Sequence, residues 1–334
     1  MGRHKEMMLV ADIGGTKTDV ITVPRDTGGF TPAEVVTFSN RMFSRPEDVL
    51  DQVLHASERP VTTACIAVAG PVEGDRSQLT NLGWSVDAIA IAERYGLENV
   101  VIVNDARALG HALPRLQEGD CQVIATGTAV AQGTKVVMSP GTGLGVSFLV
   151  WHGGQYTAYP AEAGHLTFAP VCELERALVA DLLQNQDCVQ VEDLCSGPGI
   201  QRIFAFLARG WSDSIGEADR SILALPVEEQ PPFVAKHAQG DRRSPLCEQA
   251  MTVFCRILAR VASDFAAAFL AKGGVYLAGA IPRGFSDGLI CCFSDAYQQS
   301  ASMRDVSLDI PAIVVKSRWP VLLGAYWYAR SGPD

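Results

Sequence analysis

The chain has 334 residues, of which 48% are hydrophobic and 19% charged, enough for a large buried core and two domains. With 37 acidic residues against 27 Lys and Arg the formal net charge is −10, which excludes the broad basic face that nucleic acid or an anionic membrane would need. Nine cysteines occur without a C-x-x-C pair, and the neighbours Cys291-Cys292 are poorly placed for a disulfide, so reduced, mostly buried thiols are expected.

In chain order, apolar alternation predicts strands at 8–13, 19–23 and 34–38, then a helix over 46–56 with Ser44 as its N-cap. A buried strand at 65–69, a helix over 85–95, a fully apolar strand at 100–103 and a helix over 106–113 follow, giving ββ(β)αβαβα. The second half echoes this order, with strands at 122–126, 135–138, 144–151 and 275–278 and helices over 174–183, 198–208 and 247–270. Residues 226–245, with several prolines and charges, are expected to contain a surface connection. The apolar segment 319–330 reads as a docked helix started by Pro320 that packs back across a domain boundary. Two related α/β domains result, 1–115 joined by 318–334, and 116–317. No secretory segment follows the first residues, and the apolar stretch 257–270 is interrupted by Arg260 and Asp264, so no membrane span and a cytoplasmic location are expected. With the first strand predicted to begin near Met7, no DNA-binding appendage is expected.

Two glycine-rich turns between strands carry the chemistry. In the first, Asp12-Ile13-Gly14-Gly15-Thr16-Lys17, adjacent glycines let backbone N–H groups approach an anion. Thr16 and Lys17 add a hydroxyl and a positive charge, and Asp12 can hold a hydrated metal ion. It is not a Walker A loop, because the residues after Gly15 continue as a strand. The second, Ser139-Pro140-Gly141-Thr142-Gly143-Leu144-Gly145, also joins glycine to Thr. Either turn alone reads as an ordinary conformational turn, whereas the pair can hold one polyphosphate from opposite sides.

Three polar clusters accompany the turns. Asn104-Asp105 follows the strand at 100–103, where α/β proteins bind ligands, and reads either as a helix cap or as the site of a catalytic base. Glu162-Ala163-Gly164-His165 can direct Glu162 and His165 at one ligand, with zinc the rival reading, for which Cys172 supplies too few ligands. Glu192 precedes Ser196-Gly197-Pro198-Gly199, which also reads as a helix stop and restart with Glu192 on the surface.

Together with Ala69-Gly70-Pro71-Val72-Glu73-Gly74-Asp75, Thr80-Asn81-Leu82-Gly83-Trp84, Phe168-Ala169-Pro170, Gly279 with Ile281-Pro282-Arg283, and Leu322-Leu323-Gly324-Ala325, these motifs resemble the bacterial glucokinases of the hexokinase, Hsp70 and actin superfamily nearly end to end. The resemblance implies two actin-like (ribonuclease H-like) α/β domains with a hexokinase-type interdomain cleft. It implies transfer of the γ-phosphoryl group of ATP to the C6 hydroxyl of glucose, with Mg²⁺, and a homodimer. By it Asp105 is the general base, and Asn81, Asn104, Asp105, Glu162, His165 and Glu192 hold the sugar. Asp12, Gly14, Gly15, Thr16, Lys17, Gly141, Thr142, Gly143 and Gly279 hold the nucleotide, with Asp12 on magnesium through water. Two departures stand out: Lys17 where many of these enzymes have Asn, and Ala163 in the usual Glu-Gly-Gly-His, whose added methyl is expected to alter backbone geometry beside the sugar. The C-x-C-G-x-x-G-C zinc cluster of the related repressor and sugar-kinase group does not occur, which favours the glucokinase branch.

Overall fold

The computed structural model describes residues 6–25, 30, 34–57, 59–79, 82–211, 215–240, 243–305 and 309–331. The chain divides into two compact units, one of Met1–Gln117, His152–Pro160 and Ser317–Asp334, the other of Glu118–Trp151 and Ala161–Lys316.

The first unit runs β1 (Met7–Ile13), β2 (Lys17–Pro24), β3 (Val36–Ser39), α1 (Pro46–Leu54), β4 (Val61–Val68), β5 (Val72–Glu73), β6 (Arg76–Leu79), β7 (Trp84–Asp87), α2 (Ala88–Tyr95), β8 (Asn99–Asn104) and α3 (Asp105–Ala112). Its main sheet has the order β3-β2-β1-β4-β8, with β1, β4 and β8 parallel, and β5, β6 and β7 form a small antiparallel sheet of their own. Period-2 alternation sorts the central strands onto two cores. Leu9, Ala11 and Ile13 with Ala64, Ile66 and Val68 face one, whereas Met8 and Val10 with Cys65 and Ala67 face the other.

The elements that follow are β9 (Cys121–Ala125), β10 (Lys135–Pro140), β11 (Leu144–His152), β12 (Gln155–Ala161), α4 (Glu173–Leu182), α5 (Gly197–Gly210), α6 (Glu217–Leu223), α7 (Gln230–His237), α8 (Pro245–Ala268), β13 (Val275–Leu277), α9 (Ala280–Arg283), α10 (Asp287–Gln298), α11 (Ala301–Asp305) and β14 (Ala312–Val315). Their sheet order, β12-β11-β10-β13-β14-β9, repeats the first sheet's pattern and adds β9 antiparallel at its edge. Ser244 caps the long α8 by accepting from the Cys247 N–H at 3.2 Å, and Leu246, Ala250, Phe254, Leu258, Val261 and Phe265 line its buried stripe. The closing helix α12 (Pro320–Ser331) belongs to the first unit and packs on α3, β1 and β4 through Leu322, Ala325 and Tyr326.

Several local expectations change. Ser44 is not a side-chain cap: Arg45 occupies the N-cap of α1, and the Ser44 N–H donates to Asp48 Oδ2 at 3.3 Å. The segment expected as a helix over 85–95 begins as β7, and Asp87 starts α2 by accepting from the N–H groups of Ile89 and Ala90. Within the expected connection 226–245, α7 folds and buries Gln230 and Val234.

Candidate active site

In the first unit, parallel β1, β4 and β8 end along one sheet edge, in a register that pairs Ile13 with Val68 and Val68 with Asn104. Ligands of open α/β sheets bind beyond such carboxyl ends. The β1–β2 turn closes on itself, because the Gly14 N–H donates to Lys17 O at 3.0 Å, and a β-carbon on Gly14 would lie 3.3 Å from that oxygen. That bond leaves Gly15 and Thr16 at the partly exposed apex to offer N–H groups to an anion. Buried Asn40 buttresses the turn from 26 positions away: its Nδ2 donates to Gly14 O at 2.8 Å, its N–H donates to Thr16 O, and its Oδ1 accepts from Thr18 Oγ1. The Lys17 ammonium lies 2.6 Å from Oδ2 of buried Asp19, which also accepts from Thr37 Oγ1.

At the end of β8 the capping and chemical readings separate onto two residues. Asn104 is the N-cap of α3, its Oδ1 accepting from the Arg107 N–H at 3.1 Å while its Nδ2 donates to Gly70 O. Asp105 follows as the first helical residue, with Oδ1 accepting from the Ala106 N–H at 2.8 Å. A carboxylate in the first turn is stabilised by the helix dipole.

Burial, then the charges of Asp105 and Asp19, push the Asp12 carboxyl up to about 8 against the opposing pull of Lys17. Burial and the neighbouring carboxylates favour its protonated form, a preference that a bound cation would reverse. Among the described residues no three His, Cys, Asp or Glu side chains are grouped to hold a metal directly. A single carboxylate of this kind would suit Mg²⁺ held through water, the usual binding of this reluctantly dehydrated cation.

In the second unit the β10–β11 turn closes by the Gly141 N–H donating to Gly143 O at 2.8 Å. Gly279, at the end of β13 with φ +100°, sits where a β-carbon would come within 3.4 Å of Pro140 O and Ser139 Oγ. Glu162, His165 and Glu192 converge beside this turn. His165 Nε2 lies 3.7 Å from Glu162 Oε2, and its Nδ1 lies 3.5 Å from Glu192 Oε1 and 3.0 Å from Gln190 Oε1. The Gln190 hydrogen bond, then the charges of Glu192, Glu162 and Asp193, raise the His165 pKa above its ordinary value, against burial. Glu192 is partly buried rather than on the surface, and its Oε2 accepts from the Leu144 N–H at 3.1 Å. The restart at Gly197 is also real: Ser196 caps α5 by accepting from the Gly199 N–H.

The predicted residues thus fall into two groups. Asp12, Gly14, Gly15, Thr16, Lys17, Asn104 and Asp105 gather in the first unit, and Gly141, Thr142, Gly143, Glu162, His165, Glu192 and Gly279 in the second, while Asn81 lies outside the described residues. Asn40 and Gln190, which hold the turn and the imidazole, had no local spacing to announce them. The Ala163 methyl is buried in the core of the second unit, and the residue keeps a negative φ. The glycine demanded by close approach is Gly164, whose β-carbon would lie 2.6 Å from Leu144 O.

The glucokinase family model matches residues 9–332. The glucokinase of Nitrobacter hamburgensis is 33% identical over 321 residues, 95% of each chain. The crystal structure of a glucokinase from an Antarctic psychrotroph matches with a TM-score of 0.72 at 27% identity, covering 96% of this chain and 97% of that one. A ROK family glucokinase from Streptomyces griseus, solved with glucose and AMPPNP, shares the fold at a TM-score of 0.67 and 21% identity, over 98% of this chain and all of that one. With a family match running almost from end to end, the chain belongs to the glucokinases.

Proposed function

We propose that the family's reaction, ATP-dependent phosphorylation of glucose, runs in this chain at the C6 hydroxyl with Asp105 as general base. Asn81, Asn104, Glu162, His165 and Glu192 hold the sugar hydroxyls. The observation that carries the reading is the convergence of Glu162, His165 and Glu192 against a glycine turn in the second unit. An uncharged polyol suits carboxylates and an imidazole, since each hydroxyl left unpaired in a closed site costs binding energy.

Asp105 accepts the proton as O6 attacks the γ-phosphorus, and the sugar clamp keeps O6 in line. Gly15, Thr16, Thr142 and Gly143 offer N–H groups to phosphate oxygens, with Lys17 and Gly279 beside them. Asp12 would hold Mg²⁺ through water, and the ion when bound would neutralise charge that spreads over the transferred group. The Ala163 methyl packs into the core of the second unit, which supports a sugar loop undisturbed by that departure. ATP as donor is supported by the AMPPNP bound to the Streptomyces griseus enzyme. We place the enzyme in the cytoplasm at the entry of glucose into glycolysis, where all nine cysteines, free here, stay reduced, and we assign it a homodimer as in the family.

The test is a matrix of donors (ATP, polyphosphate) against sugars (glucose, mannose, glucosamine, N-acetylglucosamine) with the purified protein, reading ADP and sugar phosphate. ATP with glucose is expected to give the highest kcat/KM. Absence of sugar-dependent ADP formation would overturn the reading.

A further inference from the structure

Glu192 uses its two carboxylate oxygens for different purposes. Oε2 accepts the Leu144 N–H at 3.1 Å, at the point where the second glycine turn enters β11. Oε1 faces the imidazole of His165 at 3.5 Å. The same short segment grips the other end of the turn, because the Gly197 N–H donates to Gly141 O at 2.7 Å and Ser196 Oγ donates to Glu192 O at 2.7 Å. Residues 192–197 therefore hold both ends of the turn.

The carboxylate fills the space beside two glycines. A β-carbon on Gly143 would lie 2.6 Å from Glu192 Oε2, and one on Gly164 would lie 2.6 Å from Leu144 O and 3.5 Å from Glu192 Oε2. The Glu192 carboxylate thus touches the turn at Gly143 and Leu144 and the His165 loop beside Gly164, so its position is read directly by both segments. We propose that Glu192 is a positioning residue that couples the sugar to the nucleotide: hydroxyls on Oε1 fix the carboxylate, and Oε2 then fixes the Leu144 end of the phosphate turn. The inference rests on the reading that Glu192 binds the sugar, and it adds that glucose and nucleotide tighten each other's binding through this one side chain.

Two near-isosteric variants separate the inference from the reading beneath it. Glu192→Gln keeps an oxygen for the Leu144 N–H and loses the charge, whereas Glu192→Asp keeps the charge and withdraws it from that N–H by one methylene. Calorimetric titration of AMPPNP with and without saturating glucose, and of glucose with and without AMPPNP, reads the coupling in both directions, which must agree. In the wild type each ligand is expected to tighten the other by about tenfold. Glu192→Gln is expected to weaken glucose yet keep most of that factor, and Glu192→Asp to bring the factor close to one. Wild-type coupling in Glu192→Asp, or none in the unmodified protein, would overturn the inference. Unchanged glucose affinity in Glu192→Gln would instead overturn the sugar-binding role.

Discussion

Gly324 of α12 comes so close to α3 that a β-carbon on it would lie 1.6 Å from the carbonyl oxygen of Ala108 and 3.1 Å from the Ala112 nitrogen. The two helices touch backbone to backbone, and α3 carries Asp105 at its first position. In Gly324→Ala, helix propensity favours Ala by about 1 kcal/mol. Overlap with a backbone carbonyl cannot be relieved by a rotamer change, and overpacking costs about 1–3 kcal/mol or more. A net loss of about 2 kcal/mol is expected in urea unfolding, with a fall in kcat as α3 shifts. A midpoint at or above that of the wild type would show that the helices part without cost.

Asp105→Asn keeps the shape of the side chain and removes its basicity. Turnover is expected to fall by about 10²- to 10⁴-fold, the range for loss of a general base. AMPPNP affinity is expected to stay within about threefold, since helix capping resides on Asn104. A coupled ADP assay with calorimetry checks both, and near-wild-type turnover would remove Asp105 from the chemistry.

Asp12 gives the unliganded enzyme a characteristic pH dependence. Its carboxyl is raised from 3.8 to about 8 in the folded state, so between those values the folded chain holds a proton that the unfolded chain has lost. Stability from this group therefore falls as pH rises from about 4 through about 8. In Asp12→Asn that slope is expected to disappear, as read by melting temperature against pH without ligands. Binding of Mg²⁺ and nucleotide favours the ionised form, so it is expected to release protons at pH 7, measurable by calorimetry in buffers of different ionisation enthalpy. An unchanged slope in the variant would place the titration elsewhere.

The Ala163 and Gly164 pair tests which residue the sugar loop cannot change. Ala163→Gly removes a buried methyl and adds backbone freedom, costing about 1 kcal/mol of stability with KM for glucose within about twofold. Gly164→Ala drives a β-carbon onto Leu144 O and is expected to raise KM for glucose by about tenfold or more, an effect of about 1.4 kcal/mol. Equal effects of the two substitutions on KM would contradict the packing described here.

What the sequence disclosed follows from the range of the interactions. Both glycine turns, the strands around them and the Pro320 helix were legible because alternation, glycine and proline act over a few residues. The departure at Ala163 was legible as a change but not in its direction, since only the packed structure shows the methyl turned into the core. Asn40 under Gly14 and Gln190 beside His165 were silent, as each acts through contacts 26 and 25 residues apart. The β-strand start of 84–87 was hidden for another reason: Asp87 both closes β7 and caps α2, so the apolar helical pattern ran on past its true boundary.

One core of the first unit draws Met8 and Val10 from the earliest strand and Leu322, Ala325 and Tyr326 from the final helix. During translation, that face of β1 stays exposed until residues near 325 clear the ribosome, by which time β9 to β14 and the helices between them have already emerged. The lobe begun first is completed last, and a nascent chain stalled before Pro320 presents an uncovered sheet face to chaperones.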